Sequence, residues 1–244
     1  MHASDELRGN KEVVLAAVQQ NGCALKHATC EFRKNKEIVL AAVQRNGYAL
    51  MHASDELRGN KEVVLAAVQQ DGYILEGIPE DFLDNKDITL AAERQDGSVI
   101  HYASGDLRNN KEVVLVAIRQ NGYVLRFASE GLRGNKEVVP AAVQRDGYVL
   151  EGILEEFLDD IGIILEAVQQ NGSAIRCASE DLQENKEIVL AAVQQNGYAL
   201  YYALYELRDN KEVVLAAVRE DGRVLEFASE DLQNDEEVIC VAMH

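Results

Sequence analysis

The chain repeats itself every 25 residues from end to end, without an insertion or a deletion. Residues 1–20 recur unchanged at 51–70. The units run 1–25, 26–50, 51–75, 76–100, 101–125, 126–150, 151–175, 176–200 and 201–225, with a tenth of 19 residues at 226–244. A period of this length means that a compact domain is not required. Each copy is one supersecondary unit that buries its apolar face against its neighbours. The whole of 1–244 therefore reads as a single elongated repeat domain.

The unit is x-x-A-S-x-[DE]-L-R-x-N-K-E-V-V-L-A-A-V-Q-Q-N-G-Y-x-L. Its tenth position is Asn or Asp in every copy, as at Asn10, Asn35, Asp160 and Asp235. An Asn or Asp just before an apolar run is a helix N-cap, its side-chain oxygen accepting a free N–H of the first turn. Glu12 and its equivalents then place negative charge where the helix dipole favours it. The run Val13 to Val18 is apolar all round, so the helix is buried on several sides. Ala at the seventeenth position, from Ala17 to Ala242, implies that neighbouring helix axes approach closely there. Asn21-Gly22 and its copies predict a left-handed glycine C-cap. Leu25, Ala28 and Phe32 then form the stripe of a second, shorter helix. The predicted fold is all-α: a superhelical α-solenoid of ten 25-residue helix-turn-helix repeats. A competing pattern exists, because V-x-x-A-x-V-x-x-N loosely echoes a leucine-rich repeat and a Val-Val pair can open a strand. The Asn cap and Gly stop, bracketing a segment of helical length, favour helix.

On these residues, N-K-E-V-V-L-A-A-V-Q-Q-N-G-Y-A-L followed by x-x-A-S-x-x-L, the chain resembles the repeat of the domain-of-unknown-function family 4116. The resemblance covers essentially the whole sequence. It implies a tandem array and carries no activity or catalytic residue with it. Units four and seven depart from the pattern at Glu76-Gly77-Ile78 and Glu151-Gly152-Ile153.

Charge removes several function classes. A net charge of −18 provides no basic stripe for nucleic acid and no attraction to an anionic membrane surface. No run is apolar enough to insert into a membrane. Cys23, Cys30, Cys177 and Cys240 form no C-x-x-C pair, which fits a soluble protein of a reducing compartment, cytoplasmic by default. His2, His27 and His52 share one repeat position that holds Tyr102, Phe127, Tyr202 and Phe227 elsewhere, so it reads as a packing slot rather than a metal ladder. The Tyr set 48, 73, 123, 148 and 198 reads as core or rim packing. No catalytic, cofactor-binding or metal-ligating set emerges, and no cofactor is expected; the chain does not read as an enzyme.

The informative irregularity is electrostatic. Units four, seven and ten carry −5, −6 and −6, which is −17 of the −18, and they recur at intervals of three. The candidate interaction surface is acidic: Glu80, Asp81, Asp84 and Asp87 in unit four, Glu155, Glu156, Asp159 and Asp160 in unit seven, and Glu230, Asp231, Asp235 and Glu236 in unit ten. A solenoid turning once in about three units would stack them into a stripe facing a basic partner; duplication of a three-unit block explains the same period. The expected function is a non-catalytic scaffold for protein–protein interaction. The alternatives are a structural subunit of a large assembly and a repeat segment of a larger effector-like or multidomain protein. Pro140 sits inside the apolar run of unit six and predicts a kink or a distorted first turn.

Overall fold

The structure, a computed structural model, describes residues 5–243, with side chains from Leu7 onward. It has the all-α repeat-solenoid architecture, and among the described residues no strand occurs. The leucine-rich pattern therefore does not apply. Two compact bodies are present, Met1–Gln120 and Asn121–His244.

Within each body the long helices begin where the Asn and Asp caps place them. Asn60 Oδ1 accepts from the Val63 N–H at 3.3 Å ahead of Lys61–Gln70, and Asp160 Oδ1 from the Ile163 N–H at 3.0 Å ahead of Ile161–Gln170. Each such cap is worth about 1 kcal/mol. Burial is narrower than an all-round apolar helix would have. In the third repeat Val63, Val64, Ala67 and Val68 are sealed from solvent, whereas Leu65 and Ala66 are half-buried on the outer side. The core is thus one face per helix, continued from repeat to repeat.

The Asn-Gly junction corrects the sequence expectation. Among the described residues none has a positive φ, glycines included. Asn21 is extended at φ −144°, ψ 107°, and its N–H still bonds the Ala17 carbonyl. Its side chain then caps the next element by accepting from the Cys23 N–H at 3.1 Å. The glycine is required for a different reason. A Cβ on Gly72 would stand 2.7 Å from the carbonyl oxygen of Ala92, and one on Gly147 2.7 Å from that of Ala167. The small residues at positions 17 and 22 are therefore partners. This close approach joins the glycine of one repeat to the helix backbone of the next.

The shorter helix is in two pieces. A six-residue 3₁₀ helix such as Gly47–His52 is followed by an extended Ala53, and then by a one-turn α-helix such as Asp55–Arg58. Backbone bonds stitch this strip to its neighbour: Ser54 N–H to the Arg33 carbonyl at 2.9 Å, and Ser179 N–H to the Leu158 carbonyl at 3.0 Å. Pro79 occupies the corresponding position of the fourth repeat, where it has no N–H to give.

Pro140 distorts a first turn, as expected. The helix of the sixth repeat starts at Val138, and Lys136 and Glu137 form only a turn. Asn135 still accepts from the Glu137 and Val138 N–H groups at 3.0 and 3.2 Å. Restarting the helix moves the proline into the first turn, where its missing N–H has no intrahelical partner to lose.

Candidate interaction surface

The twelve acidic residues singled out in the sequence divide into three groups. Five are engaged within the chain. Asp84 and Asp159 accept from the hydroxyls of Ser104 and Ser179 at 2.7 and 2.8 Å. Asp87 pairs with Lys61 at 3.0 Å, Asp160 caps its helix, and Asp235 both caps its helix and pairs with Lys211 at 2.8 Å. Glu236 is exposed in the first turn of Glu236–Ala242.

The remaining six form a register of their own. Glu80 and Asp81, Glu155 and Glu156, and Glu230 and Asp231 all begin the short helical turn of their repeat, and all are exposed. Their electrostatic difference from repeats one, two, three, five, six and nine lies three residues on. The eighth position is Arg in repeats such as the third, where Arg58 pairs with Asp55. It is Leu83, Leu158 and Gln233 in repeats four, seven and ten, and Gln183 in repeat eight, where Glu180 and Asp181 are exposed in the same way. These carboxylates thus face solvent without the local guanidinium. The sequence count of charge found repeats four, seven and ten, but only the structure separates the engaged acids from the open ones.

A second electrostatic feature escaped the sequence reading. Lys at position 11 of one repeat bridges the acid at position 12 of the next: Lys11–Glu37 at 2.7 Å, Lys36–Glu62 at 2.6 Å, Lys61–Asp87 at 3.0 Å, Lys86–Glu112 at 2.5 Å and Lys186–Glu212 at 2.6 Å. Each exposed pair contributes well under about 1 kcal/mol, so the ladder marks register more than it holds the fold. The available signal was the Lys-Glu pair copied in nearly every unit. Repeat seven breaks it with Ile161 and Gly162. Beside that break, next to Pro140, lies a groove of about 610 Å³ lined by Lys136, Val143, Gln144, Phe157 and Glu166.

Repeat four carries a buried polar pair that the sequence reading also passed over. Thr89 and Glu93, one helical turn apart, are both fully buried, and neither the hydroxyl nor either carboxylate oxygen has a hydrogen-bond partner. Repeats one to three and five to nine place Val or Ile at both positions, as at Val64 and Val68, and repeat ten has Ile239 and Met243. Burial alone pushes the Glu93 carboxyl up to about 8, so the acid is held neutral at physiological pH.

The histidine position is mixed. His27 is exposed; His52 is half-buried, and burial followed by the nearby Lys26, Arg33 and His27 charges holds its imidazole below the usual range. His2 lies outside the described residues. Among the described residues no group of three His, Cys, Asp or Glu side chains is placed to hold a metal ion, and the four cysteines are free thiols. Tyr48, Tyr73, Tyr123, Tyr148 and Tyr198 are rim residues, from 36% to 55% exposed. No helix of the described residues is long and apolar enough to cross a membrane.

Repeats of identical length, joined through a glycine-to-carbonyl contact and a helix face, define an all-α tandem-repeat protein of the solenoid class. The family described as Domain of unknown function (DUF4116) matches residues 1–33, 10–58, 60–108, 85–133, 110–158, 135–183, 160–208 and 210–243, and the chain belongs to that family. No curated protein and no solved structure matches it.

Proposed function

We propose that residues 1–244 act as one repeat scaffold that recruits another protein without catalysing a reaction on it, and that the recruited surface is basic. The observation that carries this reading is the open register of Glu80, Asp81, Glu155, Glu156, Glu230 and Asp231, exposed carboxylates in repeats that lack an arginine at position 8. Regular repetition supports the same reading, since identical short elements present a surface and do not converge polar groups into a deep pocket. Contacts of this kind steer association and are screened by salt.

The test is affinity capture with the intact chain at low and at high salt, beside a variant carrying Gln or Asn at those six positions. The expected outcome is a retained protein that dissociates at high salt and is lost by the variant. Retention of the same protein at equal strength by the variant would overturn the role of these carboxylates.

A further inference from the structure

Repeat nine differs from every other copy in carrying three tyrosines close together, Tyr201, Tyr202 and Tyr205, with Tyr198 just before them. Tyr198, Tyr201 and Tyr205 are 46%, 51% and 64% exposed. The rings of Tyr198 and Tyr201 form one patch with Phe227 of the next repeat: Tyr198–Tyr201 centroids lie 5.7 Å apart, Tyr198–Phe227 5.1 Å and Tyr201–Phe227 5.2 Å. A cavity of about 490 Å³ adjoins it, lined by Tyr205, Phe227, Glu226, Glu230, Asp231 and Arg208.

The chain supplies its own template for what such a patch holds. Three repeats earlier, the equivalents of Tyr198 and Tyr202 are Tyr123 and Phe127, and the equivalent of Tyr201 is Arg126. The Arg126 guanidinium sits 4.8 Å from both ring centroids and donates to the Tyr123 hydroxyl at 2.6 Å. The first position of a repeat also neighbours the first position of the next, since Arg176 is ion-paired with Glu151. Repeat nine keeps the aromatic floor and, in Glu226 of repeat ten, the neighbouring carboxylate. The arginine that would serve both is replaced by Tyr201. Two cations of the neighbouring sequence are engaged elsewhere: Arg176 with Glu151, and Arg223 with Asp221 at 2.7 Å. Arg208 is the one cation lining the cavity, against the three carboxylates of Glu226, Glu230 and Asp231.

We infer that this patch is an acceptor for an arginine side chain presented by a partner protein, whose guanidinium lies on the exposed rings of Tyr198 and Tyr201 and reaches the Glu226 carboxylate. The inference rests on the scaffold reading above and names the partner's contact residue. A planar guanidinium suits both surfaces at once, whereas a lysine ammonium, more strongly hydrated, gains less from ring faces.

The probes are a capped peptide of alternating Arg and Gly and its Lys counterpart of equal length, titrated at physiological salt. The chain has no Trp, and four of its nine tyrosines (Tyr198, Tyr201, Tyr202 and Tyr205) lie in or just before repeat nine, so tyrosine fluorescence read against the Tyr201 variants follows binding at the patch, with calorimetry alongside. The Arg peptide should bind roughly two- to fivefold more tightly than the Lys peptide. Tyr201→Ser should abolish that preference. Tyr201→Arg should abolish it too, by filling the place from within as Arg126 does, and should remain fully folded. Neutralising Glu80, Asp81, Glu155 and Glu156 should leave the preference intact. Equal, salt-sensitive binding of the two peptides would overturn the arginine acceptor while leaving the acidic scaffold reading standing. Binding of neither peptide, loss of the preference on neutralising those four distant acids, or its survival in both Tyr201 variants would also overturn it.

Discussion

At the scale of single residues, the repeat turns each copy into a control for the others. Glu93 stands where eight other copies place Val or Ile and the last places Met243, and it is fully buried with no hydrogen-bond partner. A carboxyl whose pKa rises to about 8 in the folded chain binds its proton more tightly there than in the unfolded chain, where the ordinary value is 4.5. Stability is therefore unaffected by this group below the unfolded value. It falls by about 1.4 kcal/mol per pH unit as pH climbs above that value, and levels off beyond the folded one. The cost at neutral pH is on the order of 3 kcal/mol. Urea unfolding of Glu93→Gln beside the natural chain, from pH 5 to 9, should show this slope in their difference. Glu93→Val should add a further gain at every pH, because it also removes the unpaired polar atoms. Parallel pH profiles for the natural chain and Glu93→Gln would show that the carboxyl is ionised and solvated in the fold.

At the scale of the element, the sequence was legible wherever one residue type had one structural use. Asn at position 10 is an N-cap by chemistry, and it caps. It was less legible where one signal has two uses. Asn-Gly is the usual mark of a left-handed cap, but here the Asn starts a 3₁₀ helix and the Gly makes room for a carbonyl of the next repeat. The need for that glycine is a contact 20 residues away, which no local pattern contains. The open carboxylates were legible as charge and not as availability, because Asp84 and Asp159 are held by serines 20 positions on. Tyr201 and Tyr205 were visible as departures from the unit, but their meaning required the Arg126 geometry. Pro140 was fully legible, and its consequence can be measured. Pro140→Leu restores the N–H that the Lys136 carbonyl lacks and should extend the helix back by two residues. The gain should be about 1 kcal/mol, below the roughly 3 kcal/mol of an interior proline, because the helix has already restarted around it. Slow exchange of the new amide at position 140 together with a raised unfolding midpoint is the expected pair of results. A rapidly exchanging amide with an unchanged midpoint would mean that the distorted turn has another cause.

At the scale of the whole molecule, the same contacts that replace a central core also limit how far a perturbation spreads. In a body built from nearest-neighbour burial, stability is close to a sum of repeat and interface terms, and a local defect is felt next door and little beyond. Gly147→Ala is the cleanest probe, since its Cβ would meet the Ala167 carbonyl oxygen at 2.7 Å and the carbonyl carbon at 3.4 Å, both backbone atoms of the next repeat. Overpacking against backbone costs about 1–3 kcal/mol. Amide exchange of this variant should lose protection in the two helices flanking the contact, Val138–Arg145 and Ile161–Gln170, by roughly one to two orders of magnitude. The helix Lys211–Glu220, two repeats further on, should keep its protection within a few-fold. A uniform loss across Asn121–His244 would instead mean that the body unfolds as a single cooperative globule. Repetition would then describe its construction and not its energetics.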